Sequence, residues 1–255
     1  MFASVPFSIP GFTDPVSSLS HLLGAGLFAV LGIWLLREGR GDRRRLIFLG
    51  VYVFACVFLL SMSGVFHLLA RDSGGREVLA RLDHGAIFVL IAGTFTPVHG
   101  ILYLRWARWL PLLVIWGAAI TGITLKTIFF RGVSDWLGLT FYLGLGWIEG
   151  ISGFVLWYRY GWTFVRPLIW GALAYSFGAV LEARGWPTLI PGVVGPHELW
   201  HFAVLAGAFW HWQFVSQFAS GAVPGMVRAE PASVRVRQSL PSLQTRCAVM
   251  AQEAD

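Results

Sequence analysis

Long apolar stretches separated by short polar runs dominate this chain, and their length sets the architecture. A bilayer hydrocarbon core of about 30 Å needs roughly 20 apolar residues in a helix. Seven stretches meet that demand: Ser17–Leu36, Leu46–Leu69, Leu82–Leu104, Trp109–Phe129, Trp136–Trp157, Phe164–Leu181 and His197–Gln217. Backbone groups facing lipid must be satisfied within their own segment, so helices and not strands are expected. The reading is an all-α integral membrane protein, a seven-transmembrane helix bundle. Residues 1–16 form a short N-terminal segment, 17–217 the seven-span domain, and 218–255 a disordered basic tail rich in Ser, Pro, Gln and Arg.

Composition agrees. The 255 residues are 56% hydrophobic and 13% charged, about half the charged share of soluble chains, with a mean hydropathy of +0.67. These values exclude a soluble globular domain, a disulfide scaffold and, despite a pI near 9.9, a nucleic-acid partner. Cys56 lies in an apolar run and Cys247 in the tail, so no structural disulfide is expected. No basic region precedes an apolar stretch at the N-terminus, so the first span is expected to be its own insertion signal. Trp106, Trp109, Trp136, Trp157, Trp162, Trp186 and Trp200 fall near span ends, as in an interfacial aromatic belt. Gly24/Gly26, Gly144/Gly146 and Gly171/Ala172/Ala174 would allow close helix packing.

Six Lys and Arg lie on the side of the N-terminus and the second, fourth and sixth loops, against thirteen on the other side. The positive-inside rule then places the N-terminus outside and the C-terminus in the cytoplasm.

Ionisable residues in spans mark function. His67 closes the second span, with Ser63 one turn before it; Asp83 opens the third; His197 and His201 open the seventh. In a seven-span chain these positions all meet the face that carries the N-terminus. The i, i+4 spacing puts His197 and His201 about 6 Å apart at their β-carbons, close enough to share one ion. His67 would complete a three-His zinc site with an open fourth position. Zinc there would acidify a water that Asp83 orients or deprotonates, and Ser63 would donate a hydrogen bond to a developing oxyanion. The alternative is that these histidines only join helices by hydrogen bonds.

The runs SxxxH (Ser63–His67), LDHGAIFVLIAGTFTP (Leu82–Pro97) and HxxxH followed by His211 resemble the hemolysin III family. That family is the bacterial branch of the progestin and adipoQ receptors, which include the adiponectin receptors. SxxSH (Ser17–His21) and YSFG (Tyr175–Gly178) fit as well. The resemblance implies a zinc ion held by His67, His197 and His201 with Asp83 and Ser63 beside it, kinship with alkaline ceramidases, and a bacterial inner-membrane location.

HELWH also matches the HExxH metalloprotease signature, with Glu198 as base. The motif opens a spanning helix in a chain without a soluble domain for a peptide cleft, so Glu198 reads as a group near the site and not as catalytic. His211 lies about 21 Å along the helix from His197, too far to share an ion. His21 and His84 are expected to hydrogen-bond within the bundle. Lys126 is expected to snorkel or bind a head group, and Glu149 requires a partner or a wet cavity. Three functions remain open: a hydrolase of a lipid amide or ester, a sensor with structural zinc, and a membrane-perturbing cytolysin. Membrane lipids are the expected partners.

Overall fold

A computed structural model of the chain describes residues 13–130, 132 and 135–223. Cys247 and residues 224–255 of the expected tail lie outside the described residues. Seven helices follow in order: α1 Pro15–Glu38, α2 Arg43–Leu68, α3 Gly74–Leu102, α4 Trp106–Ile128, α5 Asp135–Tyr160, α6 Trp162–Arg184 and α7 Pro196–Ser216. Among the described residues there is no strand, only an isolated bridge between Ile190 and Val194 in the loop before α7. The architecture is an all-α bundle.

Six helices are both long and apolar enough to cross a membrane. The exception is α7, whose 21 residues suffice in length but include His197, Glu198, His201 and His211. The residues that make it chemically interesting are those that lower its hydropathy. Consecutive helices pack against one another, and α7 also meets α1 and α3. The middle of the bundle belongs to α3, which touches α2, α4, α5 and α7. Phe88, Ala92 and Phe95 of α3 form a buried core with Leu112, Ile115 and Ala119 of α4.

The ends follow from local chemistry. Pro15 and Pro196 occupy first-turn positions of α1 and α7, where a missing N–H costs nothing. Asp42 caps α2, accepting from the backbone N–H of Arg44 at 2.8 Å and of Arg45 at 3.1 Å. Gly185 ends α6 in the left-handed region at φ 61°, a conformation glycine adopts without strain.

Two expectations require correction. The third helix starts at Gly74 and not near Leu82, so Asp83 lies more than two turns inside it. The extra turns are polar, held by an i, i+4 pair between Glu77 and Arg81 at 3.1 Å, and hydropathy does not register them. The small-residue packing expected at Gly26, Gly144 and Gly146 is absent, since an added Cβ would meet nothing within 4 Å at any of them. Gly24 does sit tight against Leu205, and Gly93 approaches Ala55 so closely that a Cβ would lie 2.4 Å from the alanine Cβ. Trp106, Trp136 and Trp186 are well exposed at helix ends, as a belt requires, and Cys56 is buried as a free thiol. Phe218, placed in the tail by hydropathy, is fully buried against Phe164 and Phe214.

Gly93→Ala is expected to force α2 and α3 apart and destabilise the fold by about 1–3 kcal/mol, whereas Gly144→Ala should stay within about 0.5 kcal/mol. Thermal unfolding of the two variants in detergent checks the contrast.

Candidate metal centre

The second helix ends, the seventh begins, and their histidines meet. His67 is presented by the last turn of α2, and His197 and His201 by the first two turns of α7. The three ring centroids form a nearly equilateral triangle with sides of 4.9, 4.7 and 4.8 Å. His197 Nε2 stands 3.3 Å from His67 Nε2 and 3.2 Å from His201 Nε2, and the candidate ligand atoms of the trio all lie within 4.8 Å of one another.

Proton placement decides what that geometry means. His67 Nδ1 donates to Asp14 Oδ2 at 3.1 Å, and His197 Nδ1 donates to Glu182 Oε1 at 3.0 Å. Carboxylates only accept, so in the neutral imidazoles both Nε2 atoms are bare lone pairs aimed at each other. Two acceptors at that separation repel unless a cation lies between them. Zinc–nitrogen bonds of about 2.0–2.1 Å in a tetrahedron put neighbouring nitrogens about 3.3–3.4 Å apart, matching the two short distances. The donor set therefore fits a divalent ion.

Asp14 and Glu182 are the residues that sequence reasoning missed. Asp14 is the N-cap residue of α1, but its side chain makes no capping hydrogen bond to that helix. Its carboxylate instead takes His67, Arg76 at 2.8 Å and Arg71 at 3.2 Å, while its backbone N–H donates to His67 O at 3.0 Å. Thr13 adds a hydrogen bond to Leu69 O at 2.7 Å. Burial alone would raise the Asp14 pKa, but the hydrogen bonds and charges of His67 and Arg76 outweigh it and hold the carboxyl well below the usual range. Its stabilising effect is complete above the ordinary carboxylate pKa of about 4 and is lost only as pH falls through that depressed value. A detectable signal did exist: α6 ends on the same face as α2, so Glu182 belongs with the histidines by the topology that gathered them.

Ser63 and Asp83 line a cavity of about 600 Å³ together with His197, His201, Glu182 and Lys126. Ser63 is buried on α2, and the Asp83 carboxylate lies 3.9 Å from His84 Nδ1. A second, more open hollow of about 800 Å³ is lined by Asp14, His67, Arg71, Arg76, His197 and Glu198. His197 borders both, so the trio stands between a mouth and an inner chamber. Lys126 is buried and lines the chamber where snorkelling was expected. Glu198 does not reach the trio through a hydrogen bond of its own; it accepts from Ser17 Oγ at 3.1 Å and from Gly195 N at 2.9 Å. His21 joins α1 to α7 by donating to His201 O at 3.3 Å. His84 donates to Ala80 O at 2.8 Å, and His211 to Leu168 O at 3.3 Å.

A helical bundle that gathers three histidines, two of them hydrogen-bonded to carboxylates, at one end of its apolar helices defines a multi-pass membrane protein with a three-His group that could hold a metal ion. The family model described as haemolysin-III related matches residues 12–212. Hemolysin-3 of Bacillus cereus is 28% identical over 194 residues, covering 75% of this chain and 85% of that protein. The Hemolysin-3 homolog of Bacillus subtilis is 26% identical over 199 residues, covering 75% and 87%. The chain belongs to the haemolysin-III-related family. The match takes in Asp14 as well as the histidines.

Asp14→Asn and Glu182→Gln should each weaken metal retention about 10–100-fold, while His67→Ala should abolish stoichiometric binding. Chelator competition with metal analysis of the purified variants checks the ranking.

Proposed function

We propose that the protein is a zinc-dependent hydrolase acting on an amide or ester of a membrane lipid. The observation that carries the reading is the pair of bare Nε2 atoms facing each other beside a roomy chamber that holds a carboxylate and a hydroxyl. A zinc ion held by His67, His197 and His201 would supply Lewis acidity for the hydrolysis of a carbonyl compound.

The chain's own residues do the rest. Asp14 and Glu182 fix the tautomers and orientation of His67 and His197. Asp83 takes the proton of the attacking water and passes it to the leaving group. Ser63 donates a hydrogen bond to the carbonyl oxygen as charge builds there. Apolar walls from Leu59, Ile87, Leu139, Tyr142, Trp200 and Val204 accept a hydrocarbon chain. The charge distribution supports a chamber that opens on the outer side of a bacterial inner membrane, with the C-terminus in the cytoplasm.

One observation favours a second reading: the trio ties α2 to α7, which is what a sensor with a structural ion would need. The relatives' name, hemolysin, adds lysis as a third outcome to score.

Asp83→Asn should keep its metal and lose about 10²–10⁴-fold in turnover, and Ser63→Ala about 10²–10³-fold. Release of fatty acid from ceramides, N-acyl amino lipids and phospholipids by purified, metal-loaded protein is the measurement. Full metal content with no release from any of these favours the sensor; erythrocyte lysis that Asp83→Asn leaves intact excludes hydrolysis as its cause.

A further inference from the structure

Away from the histidine trio, α5, α6 and α7 line a small, mostly apolar chamber of about 100 Å³, and each contributes a side chain with an unpartnered polar atom. These are Glu149, Tyr175 and His211. Glu149 and His211 are 5% and 7% exposed. Glu149 Oε1, the Tyr175 hydroxyl and His211 Nδ1 are buried and have no hydrogen-bond partner among the described residues. The other hydroxyls in the wall are satisfied: Thr94 donates to Leu90 O, and Ser176 donates to Ala172 O.

These three side chains occupy places shaped for them. A Cβ on Gly171 would lie 2.3 Å from His211 Cδ2, and a Cβ on Gly207 would lie 2.7 Å from Tyr175 Cζ. Each ring fits only because a neighbouring helix offers bare backbone, and the two rings sit 5.4 Å apart.

The hydrogen-bond inventory then fixes what the chamber takes. His211 Nε2 faces the carbonyl of Leu168 at 3.3 Å; a carbonyl only accepts, so Nε2 carries the hydrogen and Nδ1 is a bare acceptor. Glu149 is the only Asp, Glu, Lys or Arg among the described residues of this lining, so its charge has no counter-ion in the wall. Tyr52 of α2 and Tyr103 just after α3, which lie within electrostatic reach of Glu149, are neutral phenols, and Lys126 of α4 lines the larger cavity. An isolated carboxylate in an apolar interior is neutralised most simply by a proton. The wall is mostly apolar, but its three unpartnered hydrogen-bonding atoms give waters the polar partners they need, and about 100 Å³ is room for several of them.

We propose that Glu149, Tyr175 and His211 form a second binding site, for a small water cluster and one proton, inside the bundle and apart from the histidine trio. A hydronium gives its proton to the Glu149 carboxylate, an O–H bond forms, and the water left behind bridges to Tyr175 and to His211 Nδ1. Leu59, Ala179, Trp200 and Val204 border this chamber and the larger cavity alike, so the two spaces are immediate neighbours. The site holds whether or not the metal centre is hydrolytic.

The test is infrared spectroscopy of the full-length, metal-loaded protein in lipid nanodiscs, reading the carbonyl stretch of protonated carboxylic acids at neutral pH in H2O and D2O. The expected result is a band that disappears in Glu149→Gln, persists in Asp83→Asn, shifts in D2O and changes position in Tyr175→Phe. Identical spectra for wild type and Glu149→Gln overturn the proposal. So does a band indifferent to D2O, which means a dry chamber, or one that appears only when sodium and potassium are withdrawn, which means a metal cation occupies the site. Should Glu149→Gln lose its fold, judged by metal content, carbon-13 labelling of glutamate combined with Tyr175→Phe decides: a labelled band unmoved by the tyrosine change overturns the assignment.

Discussion

Two nitrogen lone pairs cannot be held 3.3 Å apart in a protein interior without something to reconcile them, and the mouth end of this bundle is organised around that constraint. His67 and His197 are locked with their bare nitrogens face to face because Asp14 and Glu182 claim the opposite side of each ring. The two carboxylates come from the segment before α1 and from the end of α6. Four parts of the chain must therefore agree in depth before the trio can form, and a helix bundle of fixed register is what makes them agree.

The same register separates two environments. Towards the mouth, Asp14, Arg71, Arg76 and Glu198 form a charged rim. Inward, polar groups become few and each stands among hydrocarbon. There the cost of an unsatisfied atom rises, and so does the information it carries, since a polar group kept in such surroundings needs a compensating partner. Asp83 and Ser63 lie in the transition between the two, where polar chemistry and a hydrocarbon chain can meet.

Much of this was legible in the sequence. Apolar length gives six helices outright because lipid enforces both their span and their secondary structure, and α7 is legible by length although its histidines and Glu198 lower its hydropathy. Counting which span ends share a face brings His67, His197 and His201 together, and no composition argument could have done so. What remained hidden is equally physical. Asp14 reads as an ordinary N-cap before Pro15, and nothing local reveals that its carboxylate bonds across to α2. The first turns of α3 are polar, so a hydropathy reading begins the helix too late and puts Asp83 at its start. Gly144 and Gly146 carry the small-residue signature of packing, but their sides of α5 face open space; the pattern states that a neighbour would fit, not that one is there.

The side chains around the trio are numbered 14, 67, 182, 197 and 201. They begin just before α1 and finish within the last helix. During synthesis the early members wait at the membrane surface while more than a hundred further residues are made and inserted. The cluster cannot exist until α7 has entered beside α1 and α6, because two of its three histidines are carried by that helix. Its completion thus coincides with completion of the bundle.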